Sequence, residues 1–338
     1  MKIAAFGEVM MRLTPPIYMM FEQSNHLTYS FVGTGVNILS GMSRFGHETK
    51  IITTLPKNTI GRVAKSELRK MGIDDKFIKQ EGNHIGSYLV EIGYGERPSI
   101  VTYQNRLNSS FCESNLEYYN LDEIVKWADI VHICGITLSL TSNVRKIATT
   151  LANFTKKKGK TICFDFNFRP KLNENFDMSE LKSAYSEILN VSDIIFCSSA
   201  DLISEFDVAT TLNEVELFIQ TAKMSAKHYT KDGGEKIFCS KIDISYENGT
   251  GTVGIIVKGE NVTISKPVKI ETLDRIGAGD AFATGVLNGI AKNWNDELTL
   301  DFAMANFKLA HTTVGDVGMF EEEQILSYMA NPKLNLIR

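Results

Sequence analysis

Polar and apolar positions along this chain follow two rhythms. From residue 129 onward, short and almost wholly apolar runs at 130–134, 161–165, 194–198 and 236–240 alternate with longer stretches of helical spacing. Runs of this length, rich in Ile, Val, Phe and Cys, read as strands buried on both faces. The stretches between them, for instance 142–157 and 178–189, place apolar residues three and four apart and read as helices. Near the N-terminus, 3–6 and 50–54 read as strands. The spacing predicts helices over 34–45, stopped by Gly46, and over 59–71, with Asn58 as cap and Gly72 as stop. Late in the chain, 281–292, 298–314 and 321–329 are predicted helices. Alternating strands and helices predict an α/β fold with a mostly parallel sheet covered on both faces. The second rhythm is strict alternation with β-branched residues, at 87–94 and 99–103. It predicts a hairpin or small sheet that stands apart as a lid or edge extension.

At 338 residues the chain is long enough for one large α/β domain with a substantial core. No repeat, low-complexity tract or linker divides it. We expect one domain over 1–338, with lid segments near 10–32 and 84–110. A net charge of −4 argues against nucleic acid as a partner. Lys156-Lys157-Lys158 ends a predicted helix, where cations offset the helix dipole. No apolar run approaches transmembrane length. The opening Met1-Lys2-Ile3 is too soon charged for a signal peptide. The five cysteines are scattered without a C-x-x-C pair. These features predict a cytoplasmic protein with reduced thiols and no membrane partner.

The candidate chemistry lies in Asp274-Arg275-Ile276-Gly277-Ala278-Gly279-Asp280, followed by helix formers. Glycines at a helix N-terminus let the backbone approach an anion, and the first-turn N–H groups bind it. A carboxylate beside bound phosphate is a poor ligand but a good proton acceptor. Asp280 is therefore a candidate base for phosphoryl transfer, with Gly277, Ala278 and Gly279 as an anion hole. As a local pattern, a helix cap explains Asp280 equally well. Other motifs are absent or fail on context. There is no P-loop, no H-E-x-x-H and no G-x-S-x-G. Gly249-Thr250-Gly251-Thr252-Val253-Gly254 matches G-x-G-x-x-G, but it follows Glu247-Asn248 and leads into a strand-like run, so it reads as a hairpin turn.

The string from Asp274 to Asp280 resembles the D-T-x-G-A-G-D signature of the ribokinase-like (PfkB) carbohydrate kinases, with Arg275 in place of threonine. Other strings are similar in the expected order. Phe31-Val32-Gly33-Thr34-Gly35-Val36-Asn37 resembles the first motif, Gly-Gly-x-x-x-Asn. Asp165-Phe166-Asn167-Phe168-Arg169-Pro170 resembles D-x-N-x-R-P. Ser198-Ser199-Ala200-Asp201 stands for N-x-x-E, an element tied to magnesium. Lys231-Asp232-Gly233-Gly234-Glu235-Lys236 resembles the K-x-G-x-x-G nucleotide loop. Phe6-Gly7-Glu8-Val9-Met10, His132-Ile133-Cys134-Gly135-Ile136-Thr137, Tyr103-Gln104-Asn105-Arg106 and Thr313-Val314-Gly315-Asp316 are similar to the 2-keto-3-deoxygluconate kinases of that family.

The resemblance implies a ribokinase-like three-layer fold with a small β lid. It implies ATP as phosphoryl donor, Mg2+ with it, and room for a monovalent cation. A small sugar acid would be held by Gly33, Asn37, Tyr88, Tyr103, Arg106, Ile136, Arg169 and Asp316. The two arginines suit its carboxylate. Asn167, Ser198, Lys231, Gly233, Gly234 and Asn306 would lie near the nucleotide, and Asp201 would meet Mg2+ through water. The lid would pair chains into a homodimer or higher homo-oligomer. A fructokinase or nucleoside kinase of the same family, a non-catalytic sugar-binding regulator and, third, a nucleotide-dependent dehydrogenase are the alternatives.

Overall fold

The computed structural model describes residues 1–168, 178–203, 211–229, 234–246 and 249–332. Its strands are β1 (Lys2–Phe6), β2 (Met10–Thr14), β3 (Thr28–Val32), β4 (Glu48–Leu55), β5 (Ile73–Asp74), β6 (Ile78–Gln80), β7 (Ser87–Glu91), β8 (Ile100–Gln104), β9 (Ile130–Cys134), β10 (Thr161–Asp165), β11 (Ile194–Phe196), β12 (Ile237–Tyr246), β13 (Gly249–Lys258) and β14 (Asn261–Ile264). The main sheet runs β14-β13-β12-β11-β10-β9-β1-β4-β5, with β6 also on β4. From β12 to β5 the pairs are parallel; β13 and β14 add an antiparallel edge.

The apolar runs are buried strands because both faces of the sheet carry helices. In β1, Ala4 and Phe6 face a cluster with Val144, Ile147, Leu151, Ile188 and Phe218. Ile3 and Ala5 face the opposite cluster, with Ile38, Leu39, Phe282, Val286 and Phe302. The first layer is built from helices Leu121–Trp127, Ser142–Lys157, Met178–Val191 and Glu214–Tyr229. The second is built from Thr34–Arg44, Thr59–Lys70, Ala278–Ala291, Asp296–Ala310 and Glu322–Ala330. The expected caps are in place. Asn58 Oδ1 accepts the Gly61 N–H at 3.0 Å. Gly46 and Gly72 take positive φ, 84° and 78°, just past their helices.

A second, four-stranded sheet has the order β3-β2-β7-β8. Its strands lie within 10–32 and 84–110. It packs on the main body through Met10, Val32, Tyr88 and Val90, against Ile276. All five cysteines are unpaired thiols. No described helix is long and apolar enough to cross a membrane.

Candidate active site

Parallel strands deliver their C-terminal ends to one edge of the sheet, and ligands bind there in open α/β sheets. Along that edge, roofed on one side by the small sheet, lies a cleft of about 1270 Å³. The helix Ala278–Ala291 points its N-terminus into it. Gly277 precedes that helix at φ 81°, and a Cβ there would stand 1.9 Å from the Asp316 carbonyl oxygen. Only glycine makes this turn, both for its backbone angle and for the close approach. The first helical turn then presents N–H groups, including those of Gly279 and Asp280, to the cleft.

Asp280 is half-buried on that first turn. Asn37, on the first turn of Thr34–Arg44, donates its Nδ2 to Asp280 Oδ2 at 2.6 Å. Burial pushes the Asp280 carboxyl up to about 8; Asp165 and Asp316 add to the push, while the Asn37 hydrogen bond and Lys241 oppose it. A carboxyl tuned there is suited to accept a proton near neutral pH. The Asn37 Oδ1 is buried and has no hydrogen-bond partner, which leaves an acceptor beside the base. Gly33 precedes this helix, and its missing Cβ makes room for the Glu8 carbonyl oxygen, 2.3 Å from where that carbon would lie.

Two charged networks lie under the lid. In the first, Arg12 of β2 is buried between two carboxylates. Its Nη2 donates to Asp274 Oδ2 at 3.0 Å, its Nη1 to Asp316 Oδ1, and its Nε to Thr14 at 3.0 Å. Tyr88 donates its hydroxyl to the other Asp316 oxygen at 2.7 Å. Asp274 also accepts the backbone N–H of Ile276 and of Gly315. A lid strand is thus tied by charge to both sides of the Gly277 turn. In the second network Arg106 is buried, with its Nε bonded to Glu8 at 2.7 Å, while Glu8 also accepts from Ser109 Oγ at 3.0 Å. The Arg106 Nη1 is buried without a hydrogen-bond partner, and its guanidinium lies 4.9 Å from the centre of the Tyr103 ring.

Most residues singled out in the sequence line this cleft. They are Gly33, Asn37, Tyr88, Tyr103, Arg106, Ile136, Asn167, Ser198, Asp201, Gly277, Ala278, Gly279, Asp280 and Asp316. Asp201 closes the start of helix Ser199–Ile203, where its Oδ2 accepts from Ser198 N and Oγ, each at 2.7 Å. Among the described residues, no three His, Cys, Asp or Glu side chains converge as a metal site.

Two expectations are corrected. Asn306 does not line the cleft: its Nδ2 donates to the Ala281 carbonyl at 2.8 Å and ties two helices together. Gly234 lies just before β12, at the opposite edge of the sheet, where a Cβ would face only Lys156 Nζ at 3.9 Å. The adjacent Lys236 satisfies the carbonyls of Leu189, Asn190 and Ser192, which end a helix and its turn. Arg169, Lys231 and Gly233 lie outside the described residues.

Sequence reasoning missed Lys241. It lies on β12 and lines the cleft, with Nζ 3.5 Å from where a Cβ on Gly279 would stand. The only signal was period-2 alternation in Lys241-Ile242-Asp243-Ile244, which continues the strand past Ser240. Asp243, Thr252, Lys269 and Thr272 complete that side of the cleft.

The profile of the pfkB family carbohydrate kinases matches residues 1–320. A 2-dehydro-3-deoxygalactonokinase of Haloferax volcanii is 24% identical over 330 residues, 96% of this chain and 95% of its own length. A solved structure of "a putative 2-Keto-3-deoxygluconate Kinase from Enterococcus faecalis" superposes with a TM-score of 0.94 at 40% identity, covering 100% of this chain and 98% of that one. The 2-dehydro-3-deoxygluconokinase of Thermotoga maritima superposes with a TM-score of 0.89 at 25% identity, over 98% of each chain.

Proposed function

The chain belongs to the pfkB family of carbohydrate kinases, and from that premise we propose that it transfers the γ-phosphoryl group of ATP to the terminal hydroxyl of a keto-deoxy sugar acid, 2-keto-3-deoxygluconate foremost. The observation that carries the chemistry is Asp280: a half-buried carboxyl, raised to about 8, on the first turn of a helix that opens into the cleft. Asp280 takes the proton as the acceptor oxygen attacks the γ-phosphorus. The bond from phosphorus to the bridging oxygen breaks, and its electron pair stays on the departing ADP. The N–H groups of the turn hold the equatorial oxygens as charge builds on them. Lys241, close over Gly279, adds a positive charge to the same place.

The oxygen-rich rim of Asp165, Asn167, Ser198 and Asp201 suits Mg2+, held mainly through water and nucleotide phosphates because no three acidic or imidazole ligands converge among the described residues. Mg2+ would neutralise charge between the phosphates of the donor.

The acid substrate class is supported by Arg106, whose buried and unpartnered Nη1 has room for one more acceptor, and by the names of the related kinases. Glu8, which already neutralises Arg106, favours a second reading in which the acceptor is a neutral sugar such as fructose. Exposed Tyr29, Ile100, Val101 and Tyr103 on the small sheet support pairing of two chains through the lid; chromatography with light scattering would give the mass.

A coupled ADP-release assay with MgATP decides among acceptors. We expect turnover on 2-keto-3-deoxygluconate or 2-keto-3-deoxygalactonate, with fructose, ribose and adenosine at least 100-fold slower by analogy with sites that recognise a charged group. Preferential turnover on a neutral sugar would overturn the carboxylate reading and leave the kinase. No ADP release with any acceptor would favour a sugar-binding regulator.

A further inference from the structure

Arg275 stands two residues before Gly277, where the family signature has threonine. Its backbone is pinned on both sides: the Ile276 N–H donates to Asp274 Oδ1 at 3.1 Å, and the Ala278 N–H donates to the Arg275 carbonyl at 3.4 Å. Both neighbours turn toward the lid. Asp274 is buried against Arg12, and Ile276 packs on the cluster of Met10, Val32, Tyr88 and Val90. The Arg275 side chain is exposed and lines the cleft. Among the described residues it has no ion pair, although Asp274 is adjacent, because Arg12 already holds that carboxylate.

Lys241 approaches the same turn from β12, also exposed and without an ion pair among the described residues. Both cations bear on His311, whose ring is held below its ordinary value by burial and by these two charges. Two cations without an ion pair among the described residues, set at the positive end of a helix, repel each other and the dipole. An anion carrying more than one charge removes that repulsion.

We propose that Arg275 binds the β-phosphate of the donor nucleotide and stabilises the charge gained there as the bond from the bridging oxygen to the γ-phosphorus breaks. This rests on the kinase reading above. The γ-phosphoryl group lies at the N–H groups of the turn, and the β-phosphate is one bridging oxygen behind it. Arg275 lines the cleft beside this turn and acts with Lys241 on His311, which puts it on the donor side of this reading. The electron pair of the breaking bond stays on the β-phosphate oxygen, and the acceptor proton goes to Asp280. A guanidinium offers two parallel N–H donors to a phosphate, where the threonine of the signature offers one hydroxyl.

The test measures binding of ADP, AMP and adenosine by calorimetry, together with steady-state kinetics, on the wild-type chain and on Arg275→Ala, Arg275→Thr and Arg275→Lys. Because the side chain is exposed, these variants should melt with the wild type. We expect Arg275→Ala to weaken ADP binding about tenfold or more, a change worth about 1.4 kcal/mol per decade. AMP should move less than about twofold, as should KM for the sugar, and Arg275→Lys should recover part of the loss. Equal weakening of ADP and AMP would overturn the assignment, as would unchanged ADP binding. A rise confined to the sugar KM would reassign Arg275 to the acceptor. A wild-type chain that binds no ADP would sink the kinase reading itself, before any variant is compared.

Discussion

Replacing Asp280 by Asn should cut turnover by orders of magnitude and stabilise the fold, and the second effect has a calculable sign. The Asp280 carboxyl is raised from its ordinary 3.8 to about 8, chiefly by burial. In the unfolded chain it ionises at the ordinary value; in the folded chain it stays protonated to near pH 8. A carboxyl raised on folding destabilises progressively as pH climbs between the two values, and costs nothing below the lower one. From 3.8 to pH 7, at about 1.4 kcal/mol per pH unit, the ceiling is about 4 kcal/mol. Asp280 is half-buried and the cleft admits water, so screening reduces this to about 1–2 kcal/mol. Asn carries no such penalty, and its carbonyl still accepts the Asn37 hydrogen bond. In a chain of this size the gain is a rise in melting temperature of about 1–3 °C. The assay is thermal unfolding of both proteins from pH 4 to pH 9, alongside turnover. The difference should vanish near pH 4, grow to pH 8 and then level off, while kcat falls about 10²–10⁴-fold. A difference that is flat with pH, or a variant less stable at pH 8, would refute the electrostatic reasoning. Near-normal turnover would refute the base assignment.

The same carboxyl sets a pH profile. kcat/KM for the sugar should fall about tenfold per pH unit below about pH 8 and level off above it, because only the ionised base accepts a proton. Asn37→Ala removes a hydrogen bond that favours the ionised form, so it should shift that profile to higher pH; a profile unmoved in the variant would separate Asn37 from the base. Arg12→Met leaves Asp274 and Asp316 buried without their cation and should destabilise by about 3–5 kcal/mol, read by urea denaturation. Adding Asp274→Asn to Arg12→Met should return part of that loss, since one of the two stranded charges is gone; no recovery would show that packing, not charge, holds the site.

The sheet was legible because its strands are buried on both faces and advertise themselves as apolar runs. Ile130–Cys134 is apolar but for His132, and Thr161–Asp165 is centred on Ile162, Cys163 and Phe164. β12 ran on from the expected 236–240 to Tyr246 because its second half has one face in the cleft, and its alternating Lys241, Asp243 and Ser245 read as solvent-facing polar residues. The turn at Gly277 was legible because a positive φ and a missing Cβ leave glycine no substitute. Lys241 was not: nothing near it in sequence says that a helix start some forty residues later folds back over it. Asn306 fails for the converse reason. An Asn on an amphipathic helix can face a cleft or a neighbouring backbone, and only packing decided for the Ala281 carbonyl. Gly234 carried the right composition at the wrong edge of the sheet, since a loop that enters a parallel strand is a strand's length from a loop that leaves one.

One departure from the family signature, Arg275, adds a charge to the cleft. A glycine-rich nucleotide loop binds phosphate with backbone N–H groups, which are fixed in place and neutral. Of the segment expected to form one, Gly234 lies at the other edge of the sheet, and the cleft lining carries the side-chain cations Lys241, Lys269 and Arg275. Side-chain cations must be ordered when the anion arrives, and their attraction is screened by salt. The cleft also carries Asp165, Asp201 and Asp280, the last beside the Gly279 turn that Lys241 approaches. The Asp280 carboxyl is raised by its acidic neighbours and lowered by Lys241. On the proposed reading, donor phosphates beside Lys241 would offset its pull on Asp280, and the proton acceptor would respond to the occupancy of the donor site.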